Sequence, residues 1–407
     1  MSTPVATTAG LTAPRVMTFY IACLFALVGG NALTSYGMII LAHALNPADS
    51  FVGLVFMVNY LPPLFLTLYA GVQLDRRSRK RIILLAHMFY IASAFGLALV
   101  LATGLLTADT SFLLLVAACL NGTALALAQP ARMAMLGDLV AHAQIGRATV
   151  ILNLLMILAF GLAPVIVGVL RESLDWAPTF AILGCLVVVS NLILSALPVE
   201  EQFAVPAHKG GRLREAARYI RSESELLQLI GFSVAALFLL GPLQVLVPEF
   251  ARTHLGLGEA ARGALMGTLG VGLLLGGIVS GVLERRSRRG LYILGGTAVA
   301  GIAGATLGSS TDTATTGGLL LLLGIAGGVV GSLIPACIQS RTPNYLRGRV
   351  MSFYTLGFQA TPALAGLVMG AVADVAGIEA SLRSAGILVF VLAAVGTLFL
   401  TTLRRYQ

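Results

Sequence analysis

Twelve long runs of apolar residues dominate the sequence, and each is long enough to cross the hydrocarbon core of a bilayer, which is about 30 Å thick. Only 11% of the residues are charged, whereas a soluble domain has about 25%. The runs are continuous rather than alternating, which favours helices over a membrane barrel. The sequence therefore predicts an all-α integral membrane protein with twelve transmembrane helices. The predicted spans are 16–42, 50–73, 82–106, 111–135, 147–170, 177–197, 227–250, 262–283, 290–309, 316–340, 349–374 and 384–403.

The basic residues are distributed unevenly between the two ends of these spans. Of the 26 lysines and arginines, 22 fall on the side that holds the N-terminus. The other side holds four, which are Arg171, Arg252, Arg262 and Arg383. Because basic residues concentrate on the cytoplasmic side, we predict a protein of the bacterial plasma (inner) membrane with both termini in the cytoplasm. The net charge of +9 then faces anionic membrane lipids, and no nucleic-acid partner is expected.

A charged turn between two spans occurs twice in the sequence. Residues 71–81 read Gly-Val-Gln-Leu-Asp-Arg-Arg-Ser-Arg-Lys-Arg, and residues 281–289 read Gly-Val-Leu-Glu-Arg-Arg-Ser-Arg-Arg. Asp75 and Glu284 lie 209 residues apart, and a pair of arginines in later spans has the same separation. Internal repeats of this kind are typical of transporters, in which the substrate site lies between the repeats.

The repeat divides the chain into two six-helix units, residues 1–198 and 226–407, joined by a cytoplasmic linker at 199–225. Within the linker, residues 212–221 predict an amphipathic helix that is covered mostly by arginines. Its apolar face holds Leu213, Ala217 and Ile220. One interpretation is a regulatory or lipid-sensing helix on the inner membrane surface, and the alternative is a solvated linker helix.

The turn at 71–81 consists of a Gly, three residues, Asp-Arg and a small basic cluster, and it resembles the loop 2–3 signature of the major facilitator superfamily. Residues 129–132 (Gln-Pro-Ala-Arg), 138–140 (Asp-Leu-Val) and 347–352 resemble its drug-efflux branch, which includes enterobactin exporters and macrolide-efflux proteins. The resemblance implies a major facilitator fold of two pseudo-symmetric six-helix bundles, alternating access and proton antiport. We therefore expect a monomeric secondary active transporter that exports amphipathic small molecules, such as drugs or siderophore-like compounds.

Two positions depart from the proton antiporters of that family. Their fourth helix carries an arginine before a Gln-Gly pair, where this chain has Ala118 and Asn121-Gly122. Their fifth helix carries Gly-Pro-x-x-Gly-Gly, where residues 163–168 read Ala-Pro-Val-Ile-Val-Gly. The family's usual proton-coupling residues are therefore not carried over. The sequence also has no nucleotide-binding loop, metalloprotease motif or nucleophile–base signature, so neither an enzyme nor a cofactor or metal is expected.

By the same resemblance, the two charged turns form a cytoplasmic gate between the halves. Asp75 can accept charge-assisted hydrogen bonds from neighbouring arginines. It can also meet the N-terminus of the eleventh helix, near Gly348, where the helix dipole favours a negative charge. Such contacts exist only when the cytoplasmic side is closed. The predicted gate residues are Gly71, Asp75, Arg76, Arg79, Arg132, Glu284, Arg285, Arg288 and Arg341.

No charged side chain lies near the middle of a predicted span. Charges buried in a membrane usually mark ion or proton paths, so the sequence argues against a charged substrate held by a salt bridge at the midplane. Any proton carrier is then expected near the helix ends. The proton-coupling candidates are Asp75, Asp138, Glu249 and Asp374.

Uncharged polar residues near the middle of the spans are the candidates for substrate contact. They are Asn31, Ser35, Tyr36, Asn59, Asn121, Gln244 and Gln359. The alternative is that each makes only hydrogen bonds between helices, worth roughly 0.6 kcal/mol apiece. A lysophospholipid or lipid flippase and a non-transporting receptor are competing functions. The mid-span polar groups and the repeated turn favour transport over the receptor.

Overall fold

The computed structural model describes residues 11–46, 48–74, 78–198, 212–283 and 288–400. Within these residues, twelve helices are long and apolar enough to cross a membrane, which confirms the twelve predicted spans. They are α1 Pro14–Leu45, α2 Asp49–Leu74, α3 Arg79–Ala102, α4 Phe112–Leu139, α5 Ile145–Ser173, α6 Trp176–Ala196, α7 Ser224–Thr253, α8 Glu259–Leu283, α9 Arg289–Leu307, α10 Thr313–Arg341, α11 Asn344–Ala376 and α12 Ile378–Phe399.

Residues that favour the start of a helix are found at the first positions of three helices. Pro14 opens α1, where its missing N–H is not needed. The Ser78 hydroxyl accepts a hydrogen bond from the Arg81 backbone N–H at 3.1 Å and so caps α3. Asp312 caps α10 in the same way, through the Thr315 N–H at 2.8 Å. That backbone hydrogen bond lowers the pKa of the Asp312 carboxyl, because it stabilises the charged form.

Several helices extend beyond the predicted apolar spans. The α4 helix continues to Leu139 rather than to residue 135, because Leu136 and Leu139 are buried in the protein. The α11 helix begins at Asn344, five residues before the predicted start, and Leu346 is buried there. Tertiary burial therefore lengthens helices past the point at which apolar composition ends. As a result, Asp138 lies in a helix rather than in a loop.

The helices form two bundles, α1–α6 and α7–α12. We name the face that carries the linker helix and the start of α1 the linker face. The opposite face, with the turns 103–111 and 254–258, is the far face. Near the far face, buried apolar residues of both bundles form one continuous core. Members of that core include Ile39, Phe56, Leu243, Phe250 and Met369.

Toward the linker face, the core divides into two separate clusters. One contains Phe19 and Met135 of the first bundle, and the other contains Ile293 and Ile338 of the second. The bundles therefore pack together at the far face and separate toward the linker face. This arrangement leaves the space between them open to the linker face.

Glycines allow the bundles to approach closely where they meet. A Cβ atom built on Gly53 of α2 would lie 2.7 Å from the carbonyl oxygen of Gly366 in α11. A Cβ on Gly161 of α5 would lie 3.1 Å from the Cα of Gly270 in α8. Small residues permit this backbone-to-backbone contact between membrane helices. The α2–α11 and α5–α8 contacts therefore form two close seams between the bundles.

The linker helix, Arg212–Ser222, confirms the helix predicted at 212–221. Its buried residues are Ala216 and Ile220, which share one face because they are four residues apart. They pack with Leu346 on the second bundle, and the Tyr219 hydroxyl donates a hydrogen bond to the Arg341 carbonyl oxygen at 3.3 Å. The apolar face of this helix thus packs against the second bundle. The side chain of Leu213 lies outside the described residues.

Candidate functional site

A π-helical segment, Ala32–Gly37, interrupts α1 near its middle. Such segments are rare and occur frequently at functional sites. The apolar pattern of the sequence does not predict this segment, although polar residues cluster there. The Tyr36 side chain in this segment is fully buried, and its hydroxyl has no hydrogen-bond partner among the described residues. The Ser35 side chain lies outside the described residues.

Three polar side chains connect the π-helical segment to two neighbouring helices. The Asn121 amide donates hydrogen bonds to the Thr34 hydroxyl and, at 3.1 Å, to the Asn59 side-chain oxygen. For Asn121, the structure therefore shows the bonding between helices that was the alternative to substrate contact. Within the described residues, the Asn59 amide nitrogen and the Asn121 side-chain oxygen still lack partners.

The remaining candidates near mid-span are Asn31, which bonds within its own helix, and Gln244 and Gln359, which each have an unpaired side-chain oxygen among the described residues. Asn31 is half-buried, and its amide donates to the Leu27 carbonyl oxygen at 2.8 Å. Gln244 of α7 and Gln359 of α11 are buried. Their side-chain oxygens have no hydrogen-bond partner in the part of the chain that the structure describes. Since an unpaired polar atom in an apolar setting is costly, these atoms mark places for a bound molecule or water.

At the linker face, Arg79 and Asp138 form an ion pair between α3 and α4. The Arg79 guanidinium also donates to the Ala134 carbonyl oxygen at 3.1 Å. Only 4% of the Asp138 side chain is exposed. Two residues predicted separately, one for the gate and one for proton coupling, are therefore paired directly within the first bundle.

Other predicted gate residues are only partly described. Asp75, Arg76, Glu284 and Arg285 lie outside the described residues. Gly71 lies in the last turns of α2. Arg288 precedes α9 with a left-handed backbone, φ +74°, a conformation that is uncommon for a residue other than glycine.

The structure does not bring Arg132 and Arg341 together. Arg132 is buried inside the first bundle, with its guanidinium 3.5 Å from the Nε2 atom of His87. The other ring nitrogen of His87 lies 3.2 Å from the Asn191 side-chain oxygen. Arg341 is exposed in the second bundle and pairs with Glu225 at 3.0 Å. The common 209-residue spacing therefore does not give these arginines the same surroundings.

At the far face, the Asp374 carboxylate joins α11 to the first turn of α2. It accepts hydrogen bonds from the backbone N–H groups of Asp49 at 2.6 Å and Ser50 at 3.1 Å. The Asp49 carboxylate in turn lies 3.2 Å from the Nε2 atom of His43 at the end of α1. The sequence pattern indicates Asp374 as a proton-coupling residue but does not indicate His43 or Asp49. The signal for them was a histidine and a carboxylate on either side of one short turn.

Glu249, the other proton-coupling candidate at the far face, pairs with Arg252 of the same helix. The guanidinium contacts both carboxylate oxygens, at 2.5 and 2.9 Å. More than half of the Arg252 side chain is exposed. Since both partners belong to α7, this contact does not join the bundles.

Similarity to known proteins extends over most of the chain. Residues 18–357 match the Major Facilitator Superfamily. The multidrug efflux pump Tap of Mycobacterium tuberculosis (strain ATCC 25618 / H37Rv) is 27% identical over 341 residues, which cover 81% of this chain and 80% of Tap.

Solved structures of transporters share the same fold. The nucleoside transporter NupG matches with a TM-score of 0.77 at 14% identity, covering 94% of this chain and 98% of NupG. The peptide transporter POT matches with a TM-score of 0.78 at 11% identity, covering 98% of this chain and 97% of POT. Because the family match spans most of the sequence, this multi-pass membrane protein belongs to the Major Facilitator Superfamily, a family of transporters rather than of enzymes.

Proposed function

We propose that this transporter exports amphipathic small molecules, such as drugs or siderophore-like compounds, across the bacterial inner membrane in exchange for protons. The linker face is then cytoplasmic, with both termini on that side, as the excess of basic residues indicates. The units 1–198 and 226–407 rock against each other about the linker at 199–225. The similarity to Tap supports a multidrug substrate range.

The observation that carries this proposal is the set of buried polar atoms on facing bundles that have no hydrogen-bond partner among the described residues. Tyr36 and Asn121 contribute them from the first bundle, and Gln244 and Gln359 from the second. A site of this kind is mostly apolar with a few placed polar groups. In such a site, one methylene changes affinity by only about 1–3 kcal/mol. Discrimination among lipophilic compounds is therefore modest, and the transporter is polyspecific.

Alanine substitution of the substrate-site residues tests the proposal. We expect Asn31→Ala, Gln244→Ala and Gln359→Ala each to weaken export of several chemically different compounds by about 2–10-fold, the effect of losing one hydrogen bond of about 0.5–1.5 kcal/mol. Export is measured with labelled compounds in proteoliposomes. Thr123→Ala is the matched control, because the exposed Thr123 hydroxyl bonds only to its own helix, at the Cys119 carbonyl oxygen.

Two outcomes would contradict this assignment. One is tight transport of a single compound that survives the triple alanine variant, which would place the site elsewhere. The other is counterflow of labelled lysophospholipid without counterflow of any drug, which would favour a lipid flippase.

We also propose that Asp75 anchors the cytoplasmic gate, with Glu284 as a weaker copy. Asp75→Asn removes the charge that the N-terminus of α11 attracts, so we expect a shift toward the inward-open state and slower transport. Crosslinking between cysteines across the linker face measures this shift, in a background without Cys23, Cys119, Cys185 and Cys337. A larger transport defect in Glu284→Gln than in Asp75→Asn would reverse the proposed ranking.

A further inference from the structure

Three consecutive contacts connect α1 to α11 at the far face. The His43 ring contacts the Asp49 carboxylate at the start of α2. The backbone N–H groups of Asp49 and Ser50 then donate to the Asp374 carboxylate of α11. The last two contacts cross between the bundles at the end of the α2–α11 seam. We name this set of four residues the far-face latch.

The geometry of His43 selects one protonation state. Its Nδ1 atom lies 3.0 Å from the Ile39 carbonyl oxygen, and its Nε2 atom lies 3.2 Å from the Asp49 carboxylate oxygen. A carbonyl oxygen and an ionised carboxylate can only accept hydrogen bonds. Both contacts are hydrogen bonds only when both ring nitrogens carry a proton, so the closed latch fits the imidazolium form. A neutral ring can make only one of them.

Carboxylates from three helices contribute negative charge around the latch. The side chains of His43 and Asp49 are only 6% and 10% exposed, so their contact is nearly buried in the protein. Asp374 adds a second carboxylate close to Asp49. Glu249 of α7 adds a third that interacts with His43.

The nearby cations already have partners. Arg252 of α7 pairs with Glu249, and Arg262 of α8 pairs with Glu259 at 2.7 Å. His254, in the turn after α7, pairs with Glu379 of α12 at 2.9 Å. Within the described residues, the group in contact with Asp49 that can carry a positive charge is therefore His43.

We propose that His43 is a proton-binding site of this transporter, and that its protonation locks the far face closed through Asp49 and Asp374. The inference builds on the proposed proton-coupled export. A proton that enters from the far side while that side is open would be enclosed when the latch forms. Closure is then favoured at low pH and weakens as the pH rises.

Distance measurement between spin labels tests the proposal without substrate. Ala108→Cys and Thr311→Cys place labels on exposed turns of the two bundles at the far face, in a background without native cysteines. For the otherwise unaltered chain, we expect short distances at about pH 5 and a population of longer distances at about pH 8. His43→Gln is expected to lose this shift and to show the longer distances at both pH values. His43→Lys keeps a positive charge and is expected to stay closed at both.

Two further variants complete the test. His254→Gln is the matched control, because its ring pairs with Glu379 within the second bundle alone, and its pH shift is expected to be intact. Asp374→Asn removes the charge that crosses the seam and is expected to open the far face at both pH values. A pH shift retained in His43→Gln or lost in His254→Gln would overturn the assignment of His43. Closed distances in Asp374→Asn at both pH values would overturn the latch.

The same measurement separates this inference from the proposed function. The far face could respond to pH through His43 while proteoliposomes with a proton gradient transport no drug. The proposed export function would then be wrong, and the proposed closure by protonation of His43 would be supported. If drug export runs with an unchanged pH response in His43→Gln, export stands and the proposed proton site is wrong.

Discussion

Replacing Gly53 by leucine is expected to abolish transport while leaving membrane insertion intact. A Cβ atom at this position would lie 2.7 Å from the Gly366 carbonyl oxygen and 2.7 Å from the Leu367 Cα. Both are backbone atoms, which cannot turn away as a flexible side chain would. Overpacking of this kind costs about 1–3 kcal/mol, which changes a two-state equilibrium by about 5–150-fold. The bundles then cannot meet along the α2–α11 seam, and the transporter remains open at the far face.

The same substitution on the lipid-facing side of a helix provides the control. Gly295 of α9 is exposed, and a Cβ there meets no heavy atom within 4 Å. Gly295→Leu is therefore expected to transport normally. Transport is followed in proteoliposomes, and far-face opening by the label pair at positions 108 and 311. Normal transport by Gly53→Leu, or closed far-face distances in that variant, would show that the seam can form without the glycine contact.

The twelve helices could be predicted because membrane crossing depends on the length of an apolar run, a property of the sequence alone. The polar candidates for substrate contact could also be identified from the sequence, since few polar residues occur near the middle of the spans. What each one does could not be predicted, because that depends on its neighbours from other helices. Asn121 and Asn59 are mutual partners, whereas Gln359 keeps an unused acceptor.

The far-face latch could not be predicted, because it joins residues that are far apart in the sequence. Asp49 and Asp374 are 325 residues apart, and their contact joins the two bundles. The π-helical segment Ala32–Gly37 could not be predicted from the sequence for a related reason. One extra residue in a helical turn leaves the apolar pattern of α1 almost unchanged, so packing against the neighbouring helices decides where it forms.

Asp138→Asn is expected to destabilise the protein by about 3 kcal/mol, at the lower end of the effect of removing one partner from a buried ion pair. The Arg79 side chain is 17% exposed and that of Asp138 only 4%, so the variant leaves a guanidinium without its counter-charge in a nearly dry position. Thermal unfolding in detergent measures the loss. Because Arg79 belongs to the proposed gate, transport is expected to fall as well.

A double variant identifies the cause of this destabilisation. If the uncompensated Arg79 charge is responsible, Asp138→Asn combined with Arg79→Gln is more stable than Asp138→Asn alone, which is the coupling that a double-mutant cycle measures. Glu225→Gln is the control, since the side chains of Arg341 and Glu225 are 48% and 29% exposed and a solvated pair contributes only about 0–1 kcal/mol. A double variant no more stable than Asp138→Asn would mean that Asp138 stabilises this end of α4 through contacts other than its charge on Arg79. The gate would then tolerate an unpaired arginine, and the loss of transport in Asp138→Asn would have to arise from the local packing of α4.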